Sequence, residues 1–192
     1  MKEEIKRFFC GEGIEYFAAL PLSECHIVNQ HLLSQTGVSP SGSALCFLVP
    51  YYGGEGKNIS AYAVSKDYHL YFKTLLDSFC ELLHGLYPEY DFFGFSDHSP
   101  ISEVHAAARC GLGVVGDNRL LINEKYSSYV FIGEVISSMP AEHYGIAPRQ
   151  PFSTNCGHCG KCISACPTGA LSGAGVCLSA LTQKKGALTP EE

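Results

Sequence analysis

The longest regular signal in the chain is an apolar stripe at positions three and four apart. Between Asp67 and Leu86, the residues Tyr68, Tyr71, Phe72, Leu75, Leu76, Phe79, Leu82, Leu83 and Leu86 fall on one face, with Lys73, Asp77, Glu81 and His84 opposite. That spacing predicts an amphipathic helix. A shorter helix is expected over Lys2 to Cys10, and another from Ser23 through HIVNQHLLSQ to a stop at Gly37. Apolar runs too short for helices read as strands: Ile14 to Leu20, Ala44 to Tyr52, Tyr90 to Phe95, RLLIN, and SSYVFIGEVISS. Ser99-Pro100 opens a further helix, with Pro at its first position. The stretch MPAEHYGIAPRQPFSTN lacks periodicity and reads as a linker. Helices and strands alternating in this way predict an α/β (α+β) protein with a mixed sheet flanked by helices.

Two glycine-rich stretches imitate phosphate-binding motifs. Tyr51 to Lys57 (YYGGEGK) lacks the Gly and the Ser or Thr that a P-loop needs at its ends. Gly111-x-Gly113-x-x-Gly116 matches a dinucleotide fingerprint, with Glu134 downstream. Its context is inverted, since a helix pattern precedes it and a strand pattern follows. These glycines read instead as a helix stop followed by close backbone approach to something.

Composition narrows the function classes. The chain has 192 residues, 46% of them hydrophobic, and no apolar run long enough to span a bilayer. The start, MKEEIKRFF, mixes acids with bases and leads into no signal-like stretch, so a cytoplasmic location and no membrane partner are expected. A net charge of −6 with no basic stripe counts against nucleic acid as a partner. Ten cysteines in such a chain point to metal binding rather than disulfides. Cys10, Cys25, Cys46, Cys80 and Cys110 stand singly among apolar neighbours and are expected to be buried and inert.

The other five carry the chemistry. Cys156, Cys159, Cys162 and Cys166 follow the spacing C-x2-C-x2-C-x3-C-P, which suits a [4Fe–4S] cluster. Zinc is the rival, although structural zinc sites usually pair cysteines across a longer loop. In this spacing the fourth cysteine commonly ligates a different cluster, and Cys177 reads as its companion. Five thiolates cannot fill two cubanes. Thr189-Pro190-Glu191-Glu192 announces a helix, so the missing ligands are expected beyond Glu192. Upstream, Asp97 and His98 sit where a strand gives way to a helix. Asp97 reads either as a helix cap or as a proton donor at a cleft mouth. Glu103, His105 and His69 read more simply as structural or surface residues.

Three stretches together resemble one family. "DHSPISEVHAAARCGLGVVGDNRLLIN" resembles the core of the epoxyqueuosine reductases. "AYAVSKDYHLYFKTLL" resembles their Asp-Tyr-His segment through Asp67, Tyr68 and His69, and "CGHCGKCISACPTGAL" resembles their first cluster motif. The resemblance implies a nitroreductase-like, corrinoid-binding catalytic core over 1–150 and a ferredoxin-like module over 151–192, cut before its second cysteine motif. It implies two [4Fe–4S] clusters and cobalamin as cofactors, and epoxide deoxygenation in queuosine tRNA modification as the reaction. Asp97 would supply the proton, with Tyr68, His69, Gly111, Gly113, Gly116 and Asn118 near the corrin. Cys156, Cys159 and Cys162 would hold one cluster, and Cys166 and Cys177 would belong to the other. An external electron donor and a small-molecule or modified-nucleoside substrate are implied as partners; tRNA is implied too, against the acidic charge. Val114 and Asp117 stand where the family has an aromatic residue and a Lys. The alternative is an electron-transfer or corrinoid-handling iron–sulfur protein without a substrate of its own.

Overall fold

The computed structural model describes residues 2–54, 56–57, 59–150, 156–166, 169 and 171. Its centre is a four-stranded sheet in the order β1-β2-β6-β3, built from Phe17–Pro21, Ser43–Pro50, Val130–Ser137 and Phe92–Phe95. Every pairing in it is antiparallel, so the α+β form of the expected fold is the one present. A two-stranded ribbon of β4 (Val114–Val115) and β5 (Leu121–Ile122) stands apart from it.

Both faces of the sheet are covered, which explains why its strands read as continuous apolar runs rather than alternating ones. Alternate residues of β2 enter opposite cores. Leu45 and Phe47 pack with Phe9 of α1 (Lys2–Gly11) and with Phe72, Phe79 and Leu83 of α3 (Tyr68–Leu86). Ala44, Cys46 and Leu48 pack on the other side with Leu33 of α2 (Gln30–Thr36) and Ala106 and Ala107 of α4 (Glu103–Arg109). The period of two along a strand dictates this division. Helix α3 follows its predicted stripe closely: Phe72, Leu75, Leu76, Phe79 and Leu83 are buried, and Asp67 caps its first turn through the His69 N–H.

Two predicted helices start later than expected. Ser23 to Asn29 is not helical beyond a single 3-10 turn at Leu22–Glu24, and α2 begins only after its Asn29 cap. Ile27 instead bridges Ile101 in antiparallel fashion, and the Val28 N–H donates to the Pro100 carbonyl. The same bridge holds Pro100 outside α4, whose cap position is Ser102. Tertiary pairing overrides local propensity at both ends of one contact. The expected linker also contributes to the core up to Ile146, because Met139 and Tyr144 are fully buried. Cys46 and Cys110 are buried as expected, Cys25 and Cys80 partly so, but Cys10 is exposed.

Gly133 on β6 lies opposite Phe47 on β2, and a Cβ built there would stand 2.3 Å from the Phe47 ring and 2.7 Å from Phe72. Gly133→Ala is therefore expected to destabilise the fold by about 1–3 kcal/mol through overpacking. Gly85, on the wet side of α3 with nothing within 4 Å of its Cβ position, is the control. Gly85→Ala should add about 0.5–1 kcal/mol. Urea denaturation midpoints of the two variants check both signs.

Candidate functional site

Asp97 follows β3 in a left-handed backbone conformation, with φ at 62°. Asp tolerates this region better than most side chains. It does not cap α4, so the simpler reading of this residue fails. Its carboxylate is turned toward the first turn of α3, where Tyr68 donates its hydroxyl to Oδ2 at 2.7 Å. His69 brings Nε2 to 3.2 Å from the same oxygen, while its Nδ1 lies 2.8 Å from Asp67 Oδ1. An imidazole between two carboxylates can donate to both only when it carries two protons. Residues assigned separately to catalysis and to cofactor contact thus form one polar chain, Asp67–His69–Asp97–Tyr68. Burial, and after it the neighbouring Asp97 carboxylate, raises the Tyr68 hydroxyl well above the usual tyrosine range and keeps it a donor.

Behind Asp97 lies a small cavity of about 140 Å³, into which Asp97, Glu103, Arg119 and Tyr68 project among Phe72, Phe131 and other apolar side chains. Desolvation first, and then the Asp97 charge, push the Glu103 carboxyl up to about 7. Next to it, Glu134 is completely buried on the α4 side of β6, opposite Cys46. Ser99 donates to its Oε2 at 2.7 Å, and Oε1 has no hydrogen-bond partner among the described residues. Burial holds this acid well above the usual carboxylate range; the Ser99 bond opposes that shift and the Glu103 charge adds to it. Neither Ser99 nor Glu134 was singled out for this chemistry from the sequence. The signal was there in FIGEVIS, where one acid interrupts a strand that is otherwise apolar.

On the opposite side of Tyr68 opens a wider cleft of about 700 Å³. Tyr51, Leu70, Tyr71 and Phe131 give it an aromatic and apolar lining, with Lys66 and Asp67 as polar anchors. The rings are continuous: Tyr68 stacks on Phe131 at 4.2 Å, and Phe131 lies 4.5 Å from Tyr51. The volume and lining are those of small-molecule sites in general.

The glycine turn does not join this cleft. A Cβ at Gly111 would meet the Arg149 carbonyl at 2.3 Å, one at Gly113 the Ile122 carbonyl at 2.6 Å, and one at Gly116 the Asn118 side chain at 2.5 Å. The close approach inferred from these glycines is real, and the partner is the protein itself, backbone at Gly111 and Gly113 and the Asn118 side chain at Gly116. Only Gly111 of the three has a positive φ, at 68°, where it ends α4. Asn118 is likewise turned inward, accepting from the Leu120 N–H at 3.2 Å.

Beyond the ribbon, the cysteine segment begins against the core. The Asp117 N–H donates to Cys156 Sγ at 3.4 Å, and the Asp117 carboxylate lies 2.9 Å from His158 Nδ1. Cys156, Cys162 and Cys166 are partly buried and Cys159 is exposed, with one helical turn, α5 (Lys161–Ser164), between them. Among the described residues, none of the four is in a disulfide. Soft sulfur donors at this spacing, one already accepting a backbone N–H, fit an iron–sulfur cluster, whose corners stand further apart than the ligands of a single ion. Asp117 and His158 could not be paired from sequence distance alone. Cys177 and Thr189 to Glu192 lie outside the described residues.

Fold and cysteine segment together define an α+β protein with an iron–sulfur binding sequence, and residues 152–172 match a family described as a 4Fe-4S binding domain. The chain is homologous to the epoxyqueuosine reductases: it is 35% identical to that of Lactococcus garvieae over 132 residues, 66% of this chain and 36% of the relative. It therefore spans about a third of that relative's length. Its fold matches the epoxyqueuosine reductase of Streptococcus thermophilus with a TM-score of 0.72 at 21% identity, over all of this chain and 60% of the other. It also matches an epoxyqueuosine reductase solved with an epoxyqueuosine-modified tRNA stem loop, with a TM-score of 0.71 at 24% identity, over 99% of this chain and 59% of the other. Among the described residues, no helix is long and apolar enough to cross a membrane.

Ser99 offers a direct test of the buried polar arrangement, since its hydroxyl donates to Glu134 and accepts from the Ile101 N–H at 3.1 Å. Ser99→Ala leaves both groups without that partner and should cost about 1–3 kcal/mol. Thermal or chemical denaturation of the variant beside the parent chain measures it.

Proposed function

We propose that this chain carries the catalytic core and the first cysteine motif of a reductase of the epoxyqueuosine reductase type, removing an epoxide oxygen from a modified nucleoside. The observation that carries this reading is the Asp67–His69–Asp97–Tyr68 chain at the edge of a large aromatic cleft, in a homologue of those enzymes. A proton-delivering carboxyl, held in place by two neighbours and joined through Tyr68 to a ligand-sized space, is what reductive epoxide opening needs from the protein. The homologues act on tRNA-borne epoxyqueuosine by their name and by the tRNA-bound structure. We take the nucleoside as the substrate class here.

Cobalamin, when bound, would supply the nucleophilic metal centre that opens the epoxide, and iron–sulfur clusters would supply its electrons. The 700 Å³ cleft fits a flat, largely apolar macrocycle better than the glycine turn does, because the turn is filled by backbone. Leu70, Tyr71 and Tyr68 would face the ring, and Lys66 and Asp67 would anchor its polar rim. Cys156, Cys159, Cys162 and Cys166 would hold cluster iron, with Cys177 as a further ligand. Asp97 would be positioned by Tyr68 and His69 to deliver a proton to the departing oxygen. Tyr68 keeps its own proton, since its hydroxyl is held far above neutrality.

Three measurements test the reading. In the cofactor-loaded enzyme, Asp97→Asn should retain cofactors while losing about 100- to 10,000-fold in turnover, the usual cost of removing a general acid; a near-normal rate would refute the acid role. Anaerobic cobalamin titration followed by cobalt-centred absorption should saturate, and Leu70→Glu should weaken it with the fold intact, because Leu70 is 68% exposed in the cleft. The absence of saturable binding would favour an electron carrier without a substrate. Metal analysis should find iron with acid-labile sulfide, lost in Cys159→Ala; zinc in its place would make the segment a redox-inert module.

A further inference from the structure

Asp97 presents a difficulty as a proton donor. Its Oδ2 accepts the Tyr68 hydroxyl at 2.7 Å and faces His69 Nε2 at 3.2 Å, so in this arrangement that oxygen is engaged as an acceptor. A proton given up from this residue therefore has to be replaced from a neighbouring group.

The 140 Å³ cavity identifies the store. Asp97 and Glu103 open into the same space, whose other walls are mostly apolar. Two carboxylates facing one low-dielectric space do not both ionise readily; one keeps a proton. The partners decide which. Asp97 has Tyr68 and His69, while among the described residues no hydrogen bond or ion pair to the Glu103 carboxylate compensates its charge. From behind, the buried Glu134 adds a third acid, half-satisfied by Ser99. Among the described residues, Arg119 is the cation lining the cavity; on α4 itself, His105 is turned to Ser102 and Arg109 to Glu24. The space is large enough for a few waters, given about 30 Å³ for each, and Asp97, Glu103 and Arg119 offer them polar contacts.

We propose that Glu103 stores the proton that recharges Asp97, through water in the cavity they share. This rests on the acid role of Asp97 given above. When Asp97 gives its proton to the departing oxygen it returns to the carboxylate. The Glu103 acid passes its proton across the cavity to Asp97 and becomes a carboxylate, and solvent restores it. No electrons move in these steps. Glu103 is thus a positioning residue for the proton and touches no substrate. Its elevated proton affinity, centred at about 7, agrees with such a task near neutrality.

The test needs no cofactor. Carbon-13 NMR of the chain labelled at Glu and Asp side-chain carboxyls, titrated from acid to mildly alkaline pH, should show one glutamate titrating near neutrality, and Glu103→Gln should remove that signal. Asp97→Asn should move the same midpoint down toward the ordinary glutamate range of about 4.3, because the like charge across the cavity is gone. Folding linkage supplies a second readout. A carboxyl whose proton affinity is higher in the folded state makes the fold lose stability as pH rises from about 4.5 through about 7. Glu103→Gln should flatten that decline. Glu103 titrating in the ordinary range, or a midpoint indifferent to Asp97→Asn, overturns the proposal. Turnover surviving in Asp97→Asn while the coupled titration behaves as described would overturn the acid role alone.

Discussion

The eight-residue pairing of β2 with β6 governs everything else in the molecule. It places Phe47 over Gly133 and Cys46 beside Glu134, so one step of register separates an aromatic core from a buried acid. A slip of one residue would turn Glu134 toward Phe72 and Phe79 and carry the acid away from Ser99 and Glu103. Burial of both faces makes the register costly to change. The same ladder that stabilises the sheet therefore fixes the charge behind the cavity. A buried, half-satisfied carboxyl costs several kcal/mol in an apolar setting unless it keeps its proton, and such an arrangement persists only where surrounding packing enforces it.

Legibility in the sequence followed the source of each element's stability. Helix α3 could be read in full because its stripe of nine apolar residues and its Asp67 cap are local facts. The central strands could be placed to within a few residues from their apolar runs, but not their partners or direction, which depend on residues far apart in the chain. The late starts of α2 and α4 were hidden because the Ile27–Ile101 bridge is a tertiary event with no local trace. At the site, the residue types were legible and their grouping was not. Asp97 met Tyr68 and His69 only once β3 and α3 lay side by side. The glycines at 111, 113 and 116 gave a correct physical signal, close approach, but not the residues they approach.

Charge is distributed unevenly around Tyr68. On one side lie Asp97, Glu103 and Arg119, with Glu134 buried nearby; on the other, a cleft of rings with Lys66 and Asp67 at its edge. Phe131 lines both spaces, and Tyr68 forms the partition with it. The two stacked rings stand between the acids and the cleft, and the Tyr68 hydroxyl is the polar link between them.

The glycine turn bears on how the two parts of the chain are held together. Gly111 receives the Arg149 backbone, the Arg149 N–H donates to the Cys110 carbonyl, and Asp117 holds Cys156. The chain that leaves the core is thus clasped just before the cysteines and again at the first of them, by two ends of a single short loop. Whatever alters that loop, even by the width of one methyl group, alters the seat of the first thiolate. The separation of that thiolate from the cleft is then set by a glycine that touches neither.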